Sequence, residues 1–234
     1  MNSATAKCKA EVNGERRTFQ PLSGYPAWSE EVMLQRADEN LSHSQLRRTV
    51  RDFSKAPVAD SIVEACLKTA MTAPSGANQQ PWTFVWVKST DVRQKIRGAA
   101  EAEEREFYSG RASTEWLDAL AQFGTDDHKP FLEDAPVMIA VFAEAWKNNG
   151  GRKAKNYYVS ESVGIATGFL IAALHHAGLA TLTHTPSPMK FLSDILQRPD
   201  NERAYLLLIA GHPATDCQVP VITKRSYEDV VIVR

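Results

Sequence analysis

Cysteine is scarce in this chain. Its 234 residues include three, Cys8, Cys66 and Cys217, widely separated. An odd, scattered set forms neither a disulfide framework nor a metal-ligand spacing, and it suits a reducing, cytoplasmic compartment. Long apolar runs are also missing. The longest, Val163 to Leu174, is interrupted by Gly164, Thr167 and Gly168 and is too short to span a bilayer. The first residues mix Lys7, Lys9, Glu11, Glu15, Arg16 and Arg17 without an apolar core, so neither a signal peptide nor a membrane anchor is expected. There is no excess of either charge. The 27 Lys and Arg against 28 Asp and Glu give a net charge of -1, which argues against nucleic-acid binding. The GxSxG, HExxH, Walker A and GxGxxG patterns are all absent, which removes most of the weight from hydrolase and P-loop readings.

What remains is an ordinary globular composition, 43% hydrophobic and 24% charged. A chain of this size buries roughly 70% of its unfolded surface and needs no staple. Residues 1 to about 30 read as an irregular arm, broken by Pro21, Gly24 and Pro26. Helices are expected over 29–46, with Ser29 as N-cap, and over 59–72, with a stripe of Ile62, Val63, Cys66, Leu67 and Ala70. A strand follows at Thr83 to Val87. Ser89 then caps a long helix that ends in the acidic run Glu101 to Glu106. Val137 to Phe142, Leu179 to Thr183 and Ala204 to Ala210 read as further strands, and Val230 to Val233 as a fifth. Tyr157 to Ala177 reads as a long helix ended by Gly178, and Met189 to Leu196 as a short one. Helices and strands are mixed without regular alternation, so the fold class is α+β.

Several segments carry candidate chemistry. Arg47-Arg48-Thr49-Val50-Arg51 places three guanidiniums within five residues, and each planar fork can bond two oxygens of an anion. The bland reading is a solvated helix end. Ala73-Pro74-Ser75-Gly76-Ala77-Asn78 is a small-residue loop offering N–H groups and a hydroxyl, or simply a turn. Thr181, Thr183, His184 and Thr185 close a strand before Pro186, where hydroxyls can face a ligand, although threonine also favours strands. Lys224 and Arg225 form a small basic cluster or an exposed tail. Glu104 and Tyr108, four apart, share a helix face. His175 and His176 are adjacent and point apart, so they do not chelate.

Together these pieces resemble the FMN-dependent nitroreductase superfamily, most closely its iodotyrosine deiodinase branch. The carriers are Arg47 to Arg51, Thr72 to Ala77 leading into Gln80-Pro81-Trp82-Thr83-Phe84-Val85, Ala135-Pro136, Ala172 to Leu179, Thr183 to Pro186, and Lys224-Arg225. They are collinear from about residue 20 to the C-terminus. The branch rests on Glu104, Tyr108 and Lys129.

The resemblance implies a single nitroreductase-like FMN-binding domain over 21–234 behind an irregular arm of residues 1–20. Its central sheet would be mixed but mainly antiparallel, flanked by helices. It implies an intertwined homodimer with FMN at the subunit interface. Arg47, Arg48 and Arg225 would hold the phosphate, with Thr49, Val50, Arg51, Pro74, Ser75, Gly76, Thr183 and His184 completing the cofactor site. Thr185 would place its hydroxyl at flavin N5 and favour one-electron steps, as the one catalytic side chain. Glu104, Tyr108 and Lys129 would close over the amino-acid end of a halotyrosine, and the Ala77 N–H would bind its phenolate. The implied reaction is reductive dehalogenation with NAD(P)H as reductant, directly or through a separate reductase, without a protein nucleophile or metal. The implied form is soluble. Thr49 stands where the family usually has Ser, and Trp146 to Lys155 is expected to be a surface loop. A broad nitroreductase or quinone reductase, and a flavin-free binder of aromatic amino acids, are the competing readings.

Overall fold

A computed structural model describes residues 8–12 and 15–234, the first two strands by backbone alone. The chain divides into two compact units, 1–43 and 44–234. The first holds an antiparallel hairpin, β1 (Cys8–Val12) and β2 (Glu15–Thr18), and most of α1 (Glu30–Gln45). The Ser29 carbonyl accepts the Met33 N–H at 2.9 Å, and the Ser29 hydroxyl accepts the Val32 N–H at 3.4 Å, as its N-cap role requires. No side chain of α1 is buried. The hairpin replaces irregular chain, and the sequence carried its signal: Asn13-Gly14 between two extended stretches is the strongest short hairpin cue.

The second unit is built on a four-stranded antiparallel sheet in the order β3 (Trp82–Trp86), β4 (Val137–Glu144), β8 (Glu202–Gly211), β7 (Ala180–His184). A parallel bridge from Thr49 to Thr181 supplies the mixed character. Strands β4 and β8 are central and covered on both faces, so they read as unbroken apolar runs rather than alternating ones. Val137, Ile139 and Val141, with Leu206 and Leu208, pack beneath α2 (Asp60–Ala70) and α6 (Val159–His176). Met138, Ala140 and Phe142, with Leu207 and Ile209, face α3 (Thr90–Glu106), α5 (Phe131–Asp134) and α7 (Lys190–Ile195). Each fully buried Leu or Ile contributes about 1.5–3 kcal/mol.

Helix ends follow local chemistry. Ser89 accepts the Val92 N–H at 3.4 Å and starts α3. At the end of α6, Gly178 takes φ 86°, its N–H bonds the His175 carbonyl, and the Leu179 N–H bonds the Leu174 carbonyl. That pattern closes the helix and seats Leu174 against Leu179 in one cluster. Among the described residues no helix is long and apolar enough to cross a membrane.

Three local readings are corrected. Trp146 to Lys155 is a hairpin, β5 (Trp146–Asn149) and β6 (Arg152–Lys155). Its turn needs the positive φ of Gly150 and Gly151, 59° and 85°. Val230 to Val233 is not a strand; Tyr227–Val230 forms a short α8 instead. Ser226 and Asp229 there make reciprocal capping bonds of 3.2 Å, which wins locally where no neighbouring strand is available among the described residues. Ile62 faces outward, 40% exposed, so the buried stripe of α2 is Val63, Cys66 and Ala70.

Candidate active site

The site grows from an edge. Strand β7 ends the sheet, and the Val50 N–H donates to the Thr181 carbonyl at 3.3 Å, laying the arginine-rich segment alongside it. Val50 is buried and anchors that segment, while Arg47, Arg48 and Thr49 stay half-buried. Arg48 donates to the Pro220 carbonyl, which holds the start of the C-terminal tail near the same place. From Leu182 onward the side chains alternate: Leu182 and His184 are buried, Thr183 and Thr185, the latter one residue past the end of β7, exposed.

A cleft of about 370 Å³ opens beside this strand end, lined in part by Arg51, Thr183, His184 and Thr185. Its other wall comes from the end of α3. There Glu104 and Tyr108 point the same way, and the chain continues through a π-type turn at Phe107–Arg111 into α4 (Thr114–Ala121). Phe107 stacks edge-on against Trp116 and Tyr108, at centroid distances of 4.9 and 5.3 Å, giving this wall an aromatic face.

Lys129 closes the cleft. It is only 3% exposed, and its Nζ lies 3.5 Å from Glu104 Oε2 and donates to Thr125 Oγ1 at 3.2 Å and to the Asp126 carbonyl. The ammonium also stands 5.8 Å from the centre of the Tyr108 ring. The Tyr108 hydroxyl donates to the Thr125 carbonyl at 3.1 Å. Burial pushes the Glu104 carboxyl above its ordinary pKa, against the opposing pull of Lys129. Burial likewise raises the Tyr108 phenol. An anion, a cation and a neutral donor therefore sit within one side chain's reach, where a pair at ~4 Å is worth about 4 kcal/mol at an effective dielectric of ~20 before desolvation.

His184 forms the floor of the cleft. It is 8% exposed, meets Phe131 edge-on at 5.4 Å, and its Nε2 has no hydrogen-bond partner. Burial first, and then the positive charges of Lys129 and Arg51, push its pKa down to about 3. The ring is neutral in the folded protein at neutral pH. The unfolded chain, titrating near 6.5, binds a proton that the folded chain refuses between pH 6.5 and 3. Stability should therefore fall as pH drops through that window, at up to about 1.4 kcal/mol per pH unit from this residue. His184→Asn should flatten the slope, as urea melts at pH 7 and 5 will show; equal slopes in both proteins would contradict it.

The Ala73 to Asn78 loop lies elsewhere. The Gly76 N–H donates to the Ser162 hydroxyl at 3.4 Å, on the face of the sheet covered by α6, and no residue of the loop lines the cleft. A Cβ on Gly76 would come within 2.9 Å of the Tyr158 ring and 3.1 Å of the Tyr157 carbonyl, so only glycine fits. Ser75 Oγ accepts the Gln80 N–H at 2.9 Å. Ala77, Asn78 and Gln80 all take positive φ near 50°, a costly conformation for non-glycine residues that tends to mark functional loops. Pro74 and Ala77 are exposed. Arg225 is exposed on the tail and donates to the Asp229 carbonyl.

One chain thus brings Arg51, Glu104, Tyr108, Lys129, Thr183, His184 and Thr185 into one cleft, with Arg47, Arg48, Thr49 and Val50 on the adjoining segment. It leaves Pro74, Ser75, Gly76, Ala77 and Arg225 outside it. The sequence reading missed Thr125, which ties Tyr108 to Lys129, and the apolar lining of Phe107, Trp116 and Leu120. The aromatic spacing around Tyr108 was the available cue; nothing local marked Thr125.

The nitroreductase family model matches residues 45–212. An iodotyrosine deiodinase of Haliscomenobacter hydrossis is 51% identical over 220 residues, covering 94% of this chain and 99% of that protein. An iodotyrosine deiodinase of Danio rerio is 40% identical over 209 residues, covering 88% and 70%. The crystal structure of an oxidized iodotyrosine deiodinase bound to FMN and 3-iodo-L-tyrosine matches with a TM-score of 0.70 at 31% identity, over 83% of this chain and 97% of the other.

Proposed function

The chain belongs to the nitroreductase family, and from that premise we propose that it reductively dehalogenates halotyrosines such as mono- and diiodotyrosine to tyrosine and halide. The observation that carries this reading is the cluster of Glu104, Lys129 and Tyr108 over a cleft floored by Thr183, His184 and Thr185. A tyrosine zwitterion needs an anion for its ammonium, a cation for its carboxylate and a neutral donor between them. Those three groups meet nowhere else among the residues lining the cleft.

The residues also fit FMN. Two exposed hydroxyls at the end of an edge strand, an unpartnered His184 Nε2 between them in the chain and a guanidinium-rich segment pinned alongside make a polar, cationic seat. Arg47, Arg48 and Arg225 would hold the phosphate, with Thr49, Val50, Arg51, Pro74, Ser75, Gly76, Thr183 and His184 around the rest. When bound, FMN supplies the electrons that protein side chains cannot. Thr185 would donate its hydroxyl hydrogen to flavin N5. Glu104 would take the substrate ammonium, Lys129 its carboxylate and the Ala77 N–H its phenolate. Closure of the α3 end over the ligand would exclude water, as lids do.

The two halves of this site argue for a homodimer. The Ser75–Ala77 loop and the cleft lie on opposite faces of one sheet, so a second copy would have to bring the loop to the cleft. Large apolar side chains exposed at Leu22, Trp28, Met33, Leu34, Val221, Ile232 and Val233 would be covered in the same assembly. Electrons would come from NAD(P)H, directly or through a separate reductase, and scattered thiols suit a cytoplasmic setting.

The test is discrimination. Titrated into the flavin-loaded protein, 3-iodo-L-tyrosine should quench flavin fluorescence at a concentration about a hundredfold below that needed with 2-iodophenol, as an ion pair in a desolvated site predicts. Equal affinities would point to a general nitroreductase or quinone reductase.

A further inference from the structure

We propose that Glu101 is a positioning residue for substrate recognition, fixing the backbone of Lys129 and with it the place where the ammonium meets an amino-acid carboxylate. The inference rests on the halotyrosine reading of the cleft.

Glu101 stands three residues before Glu104 on α3, hence on the same flank of the helix. It does not line the cleft. Its Oε1 instead accepts the Lys129 N–H at 2.8 Å and the Arg97 Nε–H at 2.8 Å, with His128 Nδ1 at 3.4 Å. Arg97 also donates to Glu133 Oε1 at 3.0 Å, on α5 just beyond Lys129. One carboxylate oxygen therefore joins α3 to the loop that carries the ammonium, and Arg97 joins both to the next helix.

The charge of Glu101 is spent inside this network. Burial alone would raise its pKa, but the Lys129 N–H, Arg97 and His128 together hold it below the ordinary value. Lys129 is thus held at both ends: Glu101 grips its amide, and Thr125 and Asp126 receive its Nζ. Glu104, one turn along, lines the cleft beside Lys129, while its neighbour Glu103, which also lines the cleft, pairs with Arg111 at 2.8 Å. Without the amide anchor, the 125–129 loop keeps its contacts with Glu104 and Tyr108 but loses the bond that fixes the Lys129 backbone to α3.

The experiment uses flavin-loaded protein and two probes, 3-iodo-L-tyrosine and 2-iodophenol. Glu101→Leu removes the acceptor; Glu101→Gln keeps an acceptor oxygen without the charge. Loss of a hydrogen bond to a charged group predicts that Glu101→Leu weakens iodotyrosine binding about tenfold or more. The affinity for 2-iodophenol, which has no amino-acid end, should change less than about twofold. KM for iodotyrosine should rise while kcat stays near wild type, and Glu101→Gln should recover most of the affinity. Should Glu101→Leu fail to fold, Glu101→Asp, which withdraws the oxygen by one methylene, makes the same comparison. Equal weakening for both probes would mean a mere strut and would overturn the proposal, as would unchanged discrimination. A wild-type protein that does not discriminate at all overturns the reading of the cleft itself, and is recognised before any variant is made.

Discussion

Lys129→Ala is expected to raise the dissociation constant of 3-iodo-L-tyrosine by about 10²–10³-fold, the cost of removing one partner of a desolvated charge pair. Lys129 is 3% exposed and is the cation that pairs with Glu104, at 3.5 Å. The loss is compounded at Glu104. Its carboxyl already sits above its ordinary pKa because of burial, and Lys129 is the charge opposing that rise. Without Lys129 it shifts further up, and a larger protonated fraction weakens its hold on the substrate ammonium as pH falls. FMN should stay bound, because the arginines assigned to it lie on another segment. Fluorescence titration checks this directly: a variant that loses flavin and substrate together, or neither, contradicts the division of labour.

The second large effect is on the cofactor. Arg47→Ala with Arg48→Ala should cost about 3 kcal/mol or more of FMN affinity, roughly a hundredfold, from two charge-assisted contacts. The segment itself should keep its place, since Val50 is buried and its N–H bonds the sheet edge independently of either guanidinium. Purified variant should be pale, regain colour only at raised FMN, and bind more weakly as salt increases. A yellow variant retaining stoichiometric FMN through gel filtration would remove both arginines from the phosphate site.

Much of this was legible in the chain, for identifiable reasons. The central strands announced themselves because both faces of β4 and β8 are buried along their middles, leaving Glu144, Glu202 and Arg203 only at the ends of otherwise apolar runs. Helix starts at Ser29 and Ser89 were readable from capping chemistry alone. The Asn13-Gly14 and Gly150-Gly151 cues were present but outweighed by the polar, charged strands around them. The C-terminal valines misled because strand propensity does not supply a partner strand. In the site, Glu104 and Tyr108 could be paired by helical spacing. Lys129, twenty-five positions from Glu104 in the numbering, came only from family resemblance, and Glu101 and Thr125 from neither. Their roles run partly through backbone atoms, the Lys129 N–H and the Thr125 carbonyl, which every residue possesses and no sequence pattern marks; the Thr125 hydroxyl, which accepts from Lys129, is particular to its side chain.

The most direct measurement is iodide released from diiodotyrosine by dithionite-reduced, flavin-loaded protein, followed beside the turnover of a nitroaromatic compound. The account predicts that two iodides leave per diiodotyrosine, that tyrosine accumulates, and that Lys129→Ala abolishes release at low substrate. Nitroaromatic turnover without any iodide release would contradict it.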